Sequence, residues 1–533
     1  MKSVPFWGLF RKGILNMDIK KLWKNPWKQT PEFYAVVSAL AYGFLVHLFA
    51  LTNVLHNHDN IASQPGGYGL GVDMGRWFLE ILGRFFDKAG LNYNLPSVNG
   101  YVYIALLAVA AALLVSVLKI RSKISAALIG ALFVAFPTVT ATMIYRYTTI
   151  FYGISAVMAV LAVWVPGRFR GSFPVSVVLV ALSMGIYQAY VPMTIALFVL
   201  QLICEGIRGE ADAKKLVLQG LYDCLILILG LGLYFAGMKV CNGIFRVELV
   251  DYQGVSTMGN ITVSQLPRLI LKGFQAVCCL PLRDYCGVAN RALMRIAYLL
   301  LGGLSAAMIL WILVKKIRKP GTCVIIALLC VAFLLAVGFV EVMVPDGWIY
   351  TLMVYSFSLL ACAPLVYLEC LPEDDRQKLS GFCRKAVILL VVLLVVFYGY
   401  YANVNYTAAY FAGEQIDNYL SGVVLRATMT EGYTTDKQWA LLGDIQDPLF
   451  GGPWNDEISY TGLGFTEYLL NQYSRNNWIE NYIGYEIPEA DEETLTALAA
   501  SDEVRSMPCY PNAGSIRVIG DTVVVKFQNT ESD

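Results

Sequence analysis

Charge and histidine are both scarce in this chain. Only 15% of its 533 residues are charged and three are histidine, whereas 57% are hydrophobic. A soluble domain carries about 25% charged residues, so the composition argues against a soluble protein and favours one whose surface faces lipid. No paired cysteine motif of the zinc-binding kind accompanies the histidines, so no zinc site is indicated. The lack of a glycine-rich phosphate loop argues against a nucleotide-binding fold.

The net charge of +1 conceals two parts of opposite sign. From Asn403 onward the chain has six Lys/Arg and twenty Asp/Glu, whereas the residues before it have 34 and 19. Neither part has the clustered basic surface of a nucleic-acid-binding protein, so we expect no nucleic-acid partner. The reversal of sign marks the boundary between a basic, apolar body and an acidic tail.

Apolar runs long enough to cross a membrane recur along the body. A ~30 Å hydrocarbon core needs a helix of about 20 residues, and eleven runs approach that length. The fifth and sixth are interpreted as a tight hairpin, since one merged span would place the basic cluster 315–319 outside. The runs are residues 33–55, 99–118, 124–143, 147–165, 173–188, 191–207, 216–240, 293–314, 322–344, 348–368 and 386–403.

The distribution of basic residues predicts the orientation. With eleven spans, the six cytoplasmic segments contain 23 Lys/Arg and the five external loops contain nine, as the positive-inside rule requires. We therefore predict a multi-pass protein of the cell (plasma or inner) membrane, with its N-terminus cytoplasmic and its C-terminus extracytoplasmic. The long external loops 56–98 and 241–292 each contain an amphipathic stretch, Met74–Phe86 and Leu266–Val277, predicted to be a helix on the outer leaflet or packed beneath the loop.

The predicted fold is mainly α, a polytopic helical membrane protein with a small C-terminal α+β domain. Residues 1–32 form a basic amphipathic cytoplasmic tail, interpreted either as an interfacial helix or as a disordered segment. Residues 33–403 form the transmembrane domain, and residues 404–533 the extracytoplasmic domain. In that domain helices are predicted at Tyr406–Arg426, Thr461–Gln472 and Glu492–Ala500, and a hairpin at Arg517–Phe527 around Gly520-Asp521.

Two carboxylates and a guanidinium lie in the first external loop. Asp59 follows the first span, and Asp73 precedes Arg76 by three residues. A carboxylate can deprotonate a hydroxyl as a general base, and arginine can form two parallel hydrogen bonds to a phosphate. The alternatives are that Asp59 caps a turn and that Asp73 is the N-cap of the following helix.

Further polar candidates stand at the outer ends of the spans. Arg146 suits phosphate binding or, alternatively, a snorkelling position at the interface. Lys239 is a second candidate for the phosphate. Gln188 and Tyr187 stand at the tip of the hairpin, where an amide can bind a sugar, and Glu341 is an acidic group within an apolar run.

The order of these signals resembles the type II glucosyltransferase family, which belongs to the multi-span glycosyltransferases of the GT-C class. The resemblance covers about residues 33–400. It departs from the expected pattern in one respect, because an acidic pair is expected in the first loop and Asp59 is instead flanked by His58 and Asn60. The resemblance is carried by Asp73-Met74-Gly75-Arg76 in the first external loop, Met143-Ile144-Tyr145-Arg146-Tyr147, Leu182-Ser183-Met184-Gly185-Ile186-Tyr187-Gln188-Ala189, and the extracytoplasmic tail.

This resemblance implies the transfer of a hexose, glucose above all, from a polyprenyl-phosphate donor to a surface polysaccharide acceptor, with inversion at the anomeric carbon. Asp59 or Asp73 would be the catalytic base, and Arg76 and Arg146 would bind the departing lipid phosphate. No nucleotide is needed, no cofactor is certain, and a divalent cation is left open. The substrate-binding candidates are His58, Tyr145, Tyr187, Gln188 and Glu341.

Two other functions compete with this one. A lipid-linked glycan flippase or another transporter predicts charged residues along the spans, whereas here the candidates cluster at the outer ends. An O-acyltransferase needs a catalytic histidine deep in a span, and only His47 lies in one. Neither alternative accounts as well for the external carboxylates.

Overall fold

Helices dominate the parts of the chain that the structure describes. This computed structural model describes residues 30–57, 71–248, 262, 264–315, 317, 319–345, 347–371, 381–445 and 472–529. His58, Asp59, nearly all of residues 1–32 and most of the helix predicted at 461–472 lie outside the described residues. The helices are α1 Pro31–Thr52, α2 Trp77–Lys88, α3 Pro96–Val117, α4 Lys123–Ala135, α5 Pro137–Ile144, α6 Thr149–Trp164, α7 Ser172–Ile186, α8 Val191–Ile207, α9 Ala213–Phe245, α10 Leu266–Cys278, α11 Ala292–Lys315, α12 Pro320–Val337, α13 Val340–Met343, α14 Phe357–Cys370, α15 Gly381–Thr428, α16 Gln472–Trp478, α17 Glu492–Ala500 and α18 Asp502–Arg505.

Nine helical segments within the described ranges are long and apolar enough to cross a membrane. Two further apolar helices, α7 and α14, have only 15 and 14 residues, fewer than the about 20 that a span usually needs. The chain is therefore a polytopic membrane protein, and the number of eleven spans stays a prediction. The run predicted at 348–368 is partly wrong, since residues 351–353 form a 3₁₀ turn and α14 begins at Phe357.

A proline divides the run predicted at 124–143 into α4 and α5. Phe136 leaves the helical region, with ψ at 142°, because the ring of a following proline disfavours that region. Pro137 has no N–H to continue the hydrogen bonds of α4. The break lets α5 approach the segment before α14, where the Thr138 hydroxyl donates to the carbonyl of Thr351 at 2.7 Å.

The two ends of the helix bundle differ in composition. We call the turns 118–123 and 208–212 together with Glu369 the basic end. There Lys119 pairs with Glu210 at 2.6 Å, and Arg208 donates to the carbonyl of Leu118. We call residues 53–57, 71–76, 145–148 and 187–190, which lie at the opposite ends of their helices, the loop end.

The segments α7 and α8 form a hairpin between these ends. The helix before them, α6, finishes at the basic end, where the Trp164 indole N–H donates to the Ser116 hydroxyl at 3.0 Å. The residue after α8, Arg208, also lies at the basic end. Helix α7 therefore runs from the basic end to the loop end and α8 runs back, with the 3₁₀ turn Gln188–Tyr190 between them.

Glu369 at the basic end is a buried carboxylate that the protein itself satisfies. It accepts the backbone N–H groups of Arg121 and Ser122 at 3.2 and 3.1 Å and the Ser125 hydroxyl at 3.0 Å. Ser122 is the N-cap of α4, and the free N–H groups of a helix N-terminus favour a negative charge. Glu369 therefore joins the end of α14 to the start of α4.

The 48-residue helix α15 connects the bundle to the C-terminal region. Its Tyr406 hydroxyl lies 2.7 Å from His47 Nδ1, and the other ring nitrogen of His47 lies 2.9 Å from the Val134 carbonyl. With both nitrogens engaged, His47 has a packing role. The helix predicted at Tyr406–Arg426 is confirmed, because these residues lie within α15.

The C-terminal region contains a three-stranded sheet formed by β1 Gln438–Leu442, β2 Ile516–Ile519 and β3 Thr522–Lys526. The hairpin of β2 and β3 is antiparallel, as predicted, and β1 pairs with β3 in parallel. Local sequence patterns do not predict the parallel pairing, because Gln438 is 84 residues from its partner Thr522 and no turn signal joins the two strands. All twelve cysteines lie in the described residues and are free thiols, including the four of the second external loop.

Candidate functional site

The loop that precedes α2 is a tight turn packed against α9. Gly71 and Gly75 have φ values of 121° and 74°, which glycine adopts without steric penalty. A Cβ atom at Gly75 would lie 2.5 Å from the Tyr234 hydroxyl and 3.0 Å from the Gln188 side-chain nitrogen. Glycine is therefore required for the loop to approach this closely.

Gln188 fixes this loop from the tip of the hairpin. Its side-chain amide donates to the Met74 carbonyl and to the Tyr234 hydroxyl, each at 2.9 Å. The next helix begins at Trp77, one residue after Arg76. The Trp77 ring is so close to Gly185 and Gly237 that a Cβ at either would lie within 2.8 Å of it. The loop that carries Asp73 and Arg76 is thus held at both sides.

Arg76 begins a stack of aromatic rings. Its guanidinium carbon lies 5.2 Å from the centroid of the Tyr187 ring, within the range of a cation–π interaction. Tyr187 stacks in parallel on Tyr152 of α6, with centroids 4.3 Å apart. Tyr152 follows Arg146 by six residues, a rise on the order of 10 Å, so the stack ends about two helical turns from the second predicted phosphate-binding arginine.

Asp73 does not cap α2. The N-cap position is occupied by Arg76, and no side chain caps the helix, so the alternative interpretation of Asp73 as an N-cap is wrong. Asp73 is half-buried. Within the described chain no hydrogen bond or ion pair engages its carboxylate, which leaves the group available to a substrate hydroxyl.

Arg146 is buried at the loop end, with only 3% of its surface exposed. A snorkelling arginine keeps its charged head in water, so that alternative does not describe it. The Asn99 amide donates to the Arg146 carbonyl at 3.1 Å and fixes the backbone there. As far as the chain is described, Nε and Nη2 of its guanidinium have no hydrogen-bond partner.

The groups around Arg146 come from distant parts of the chain. His56, which follows α1, lies between two rings of the C-terminal region, 4.4 Å from Trp478 and 4.3 Å from Tyr482 by ring centroids. Burial lowers the pKa of His56 to about 3, with a further contribution from the charge of Arg146. The ring is therefore neutral at pH 7.

The remaining predicted residues lie in different surroundings. Tyr145 is buried beside Arg146. Lys239 is exposed on α9. Glu341 of α13 accepts the Tyr285 hydroxyl at 2.8 Å, in a cluster formed with the loop before α11. The structure thus brings Asp73, Arg76, Tyr187 and Gln188 together, places Arg146 and Tyr145 at the same end, and sets Lys239 and Glu341 apart from these contacts.

Sequence reasoning missed His56, Tyr234 and Tyr482. His56 stands two residues before the predicted His58 and could have been included with it. Tyr234 lies inside an apolar span with no local signal, and Tyr482 is more than 300 residues from Arg146. Among the described residues no three His, Cys, Asp or Glu side chains are placed to hold a metal ion.

The arrangement combines a half-buried carboxylate with two arginines at one end of the bundle. A carboxylate can remove a proton from a hydroxyl, and fixed cations can stabilise an anionic leaving group. No curated protein and no solved structure matches the chain. The model of the family described as glucosyl transferase GtrII matches residues 48–361, which are more than half of the chain. This protein therefore belongs to the GtrII glucosyltransferase family.

Proposed function

We propose that this membrane glucosyltransferase moves glucose from a polyprenyl-phosphate donor to a glycan acceptor at the loop end of the bundle. The observation that carries the proposal is Arg146, a buried cation whose guanidinium Nε and Nη2 have no partner within the described residues. A buried charge is unfavourable unless it is paired, and a lipid phosphate would supply the missing anion. Arg76, at the same end of the bundle, would supply a second cation to the donor.

The proposed reaction is a single displacement at the anomeric carbon. The acceptor hydroxyl loses its proton to the catalytic carboxylate, Asp73 or Asp59. Its oxygen then forms the new bond to C1 of glucose, while the bond from C1 to the phosphate oxygen breaks. The polyprenyl phosphate leaves with the electron pair, and one displacement inverts the anomeric configuration.

The other predicted residues have supporting roles in this proposal. Gln188 positions the loop of Asp73 and Arg76 through the Met74 carbonyl, and Tyr187 supports the Arg76 guanidinium. Tyr145 and His58 would contact the sugar. Lys239 and Glu341 remain candidates for the donor phosphate and the acceptor at the edge of the site.

Purified protein in liposomes tests the donor. We expect glucose transfer from synthetic polyprenyl-phosphate glucose to an acceptor glycan, and none from a nucleotide-activated glucose. The anomeric proton coupling of the product, measured by NMR, should show the configuration opposite to that of the donor. Transfer from the nucleotide sugar alone, or retention of configuration, would contradict the proposal.

We also propose that the loop end and the C-terminal region face away from the cytoplasm, as the charge distribution predicts. Asp521 is exposed in the turn between β2 and β3, with 85% of its side chain accessible. In a background in which all twelve native cysteines are replaced by serine, Asp521→Cys should react with a membrane-impermeant maleimide on intact cells or spheroplasts. Labelling only after membrane disruption would show the opposite orientation.

A further inference from the structure

Arg146, His56 and Tyr482, which come from separate parts of the chain, meet in one buried cluster whose polar groups satisfy one another only in part. Besides Nε and Nη2 of Arg146, Nδ1 of His56 and the Tyr482 hydroxyl are buried, and within the described residues they have no hydrogen-bond partner. The Tyr482 hydroxyl lies within hydrogen-bonding range of the Arg146 guanidinium, but without the geometry of a full hydrogen bond. Each buried polar group without a partner costs about 1–3 kcal/mol, so the cluster is unfavourable as it stands.

The two buried cations of the C-terminal region, Lys526 and Arg475, have hydrogen-bond acceptors within the protein. The Lys526 ammonium donates to the carbonyls of Val504, Arg505 and Met507 at 3.0, 3.0 and 2.8 Å. Arg475 donates to the Leu441 carbonyl at 2.9 Å and also to that of Gly443. The cluster at Arg146 is therefore an exception to how this protein treats buried positive charge, and a bound ligand would explain it.

The cluster is rich in donors and carries a positive charge. Arg146 offers guanidinium N–H groups, and burial raises the pKa of Tyr482, so the phenol keeps its proton at pH 7. His56 is neutral and offers one N–H. The nearby carboxylate of Asp417 accepts the Trp478 indole N–H. Several donors around one cation suit an oxyanion such as a phosphate monoester or diester.

Tyr482 is held in place by packing rather than by its hydroxyl. It belongs to one π-helical turn, Ile479–Ile483, which follows the fully buried Trp478. Its ring is perpendicular to that of His56, and His56 in turn packs against Gly413 of α15, where a Cβ would lie 2.9 Å from the imidazole. The ring contacts therefore position the Tyr482 hydroxyl beside the Arg146 guanidinium.

We propose that the C-terminal segment Trp478–Tyr482 completes the phosphate subsite of Arg146, with His56 and the Tyr482 hydroxyl binding the same phosphate oxygens. The identity of that phosphate as the polyprenyl donor rests on the proposed function. The family match ends at residue 361, so this assigns a substrate-binding residue to a region beyond the match. A chain without the C-terminal region would lack Tyr482, and its phosphate subsite would therefore be incomplete.

The test uses the full-length protein and two isosteric substitutions in one segment. Tyr482→Phe removes the hydroxyl beside Arg146 and keeps the ring contacts. Tyr485→Phe is the matched control, because its hydroxyl is paired with that of Tyr433 and not with Arg146. Binding of farnesyl phosphate and of inorganic phosphate to detergent-solubilised protein is measured by isothermal titration calorimetry, with thermal unfolding as a check of folding.

We expect Tyr482→Phe to raise the Kd for farnesyl phosphate about tenfold, as the loss of a hydrogen bond to a charged group predicts, and Tyr485→Phe to leave it unchanged. His56→Gln should weaken binding as well. An unchanged Kd in Tyr482→Phe would overturn the subsite, even if the wild-type protein transfers glucose. Equal affinity for inorganic phosphate, weakened equally by Tyr482→Phe, would support the subsite and contradict the lipid donor of the proposed function.

Discussion

Glu369 and Arg146 are buried charges at opposite ends of the same pair of helices. Glu369 meets the start of α4, whereas Arg146 follows the end of α5, beyond the 22-residue span Lys123–Ile144. Glu369 accepts three hydrogen bonds from the protein. Within the described residues the guanidinium of Arg146 leaves Nε and Nη2 without any.

This difference distinguishes a structural charge from a charge kept for a ligand. A buried ion that is fully hydrogen-bonded stabilises one arrangement of the helices, and its removal leaves its partners unsatisfied. An unpaired buried ion destabilises the empty protein and favours a bound counter-ion. Substitution at the basic end should therefore lower the stability of the protein, whereas substitution at the loop end should lower its transfer activity.

The largest expected effect is at the catalytic carboxylate. Asp73→Asn and Asp59→Asn each keep the size of the side chain but remove the proton acceptor. The variant that lacks the true base should lose about 10²–10⁴-fold in transfer rate, with an unchanged unfolding midpoint, because no described partner depends on Asp73. The transfer rate of both variants is measured with radiolabelled glucose in liposomes. Near-normal transfer by both variants would exclude a carboxylate base in this loop.

The next effect is at Arg146. Arg146→Met replaces the cation by an apolar side chain of similar length, so transfer should fall about 10²–10³-fold, while the unfolding temperature stays the same or rises. Arg146→Lys should fall between, since it keeps the charge but not the planar fork. Lys214→Met, at an exposed cation near the start of α9 that has no proposed role, is the comparison and should leave transfer unchanged. A destabilised Arg146→Met would show that Arg146 is structural, like Glu369.

At the basic end the expected effect is on stability. Glu369→Gln places an amide N–H₂ opposite donors and should lower the free energy of unfolding by about 1–3 kcal/mol. Glucose transfer per folded molecule should not change. Thermal unfolding in detergent and a transfer assay on the same sample measure the two quantities. Loss of transfer at normal stability would contradict the division of roles between the ends.

The smallest effect is a pH dependence at His56. Its folded pKa of about 3 lies below the ordinary value of about 6.5, so between these values the unfolded chain binds more protons. The contribution of His56 to the free energy of unfolding should therefore be fully present above pH 6.5. It should decrease as the pH falls, by about 2 kcal/mol at pH 5. His56→Gln should flatten this slope in unfolding curves recorded from pH 7.5 to 5. An identical slope in the variant would show that another group titrates.

Local patterns predicted the helices well and the contacts between them poorly. Apolar length located the membrane helices, and amphipathic periodicity located α2 and α10, although α2 begins at Trp77 rather than Met74 because the turn at Gly75 and Arg76 precedes it. Helix α17 and the β2–β3 hairpin were predicted within a residue or two. These features depend on neighbours in sequence.

The site depended on tertiary contacts that one sequence does not reveal. Arg76 and Gln188 were proposed separately, and nothing in their spacing predicts that Gln188 binds the loop of Arg76 through Met74. Tyr482 was not proposed at all, because its relation to Arg146 arises only when the C-terminal region folds back on α1 and α15. The sequence marks Glu341 as an unusual charge within an apolar run, but nothing in it predicts the partner Tyr285.

The length of α15 sets both the height and the rotation of the C-terminal region. At about 1.5 Å per residue its 48 residues extend roughly 72 Å, more than twice the thickness of the hydrocarbon core. Tyr406 is bound to the bundle through His47, and Asp417 holds Trp478. One residue inserted between them would turn Asp417 by about 100° and shift it by about 1.5 Å. The number of residues in the stretch 407–416 therefore determines whether the segment Trp478–Tyr482 lies beside Arg146.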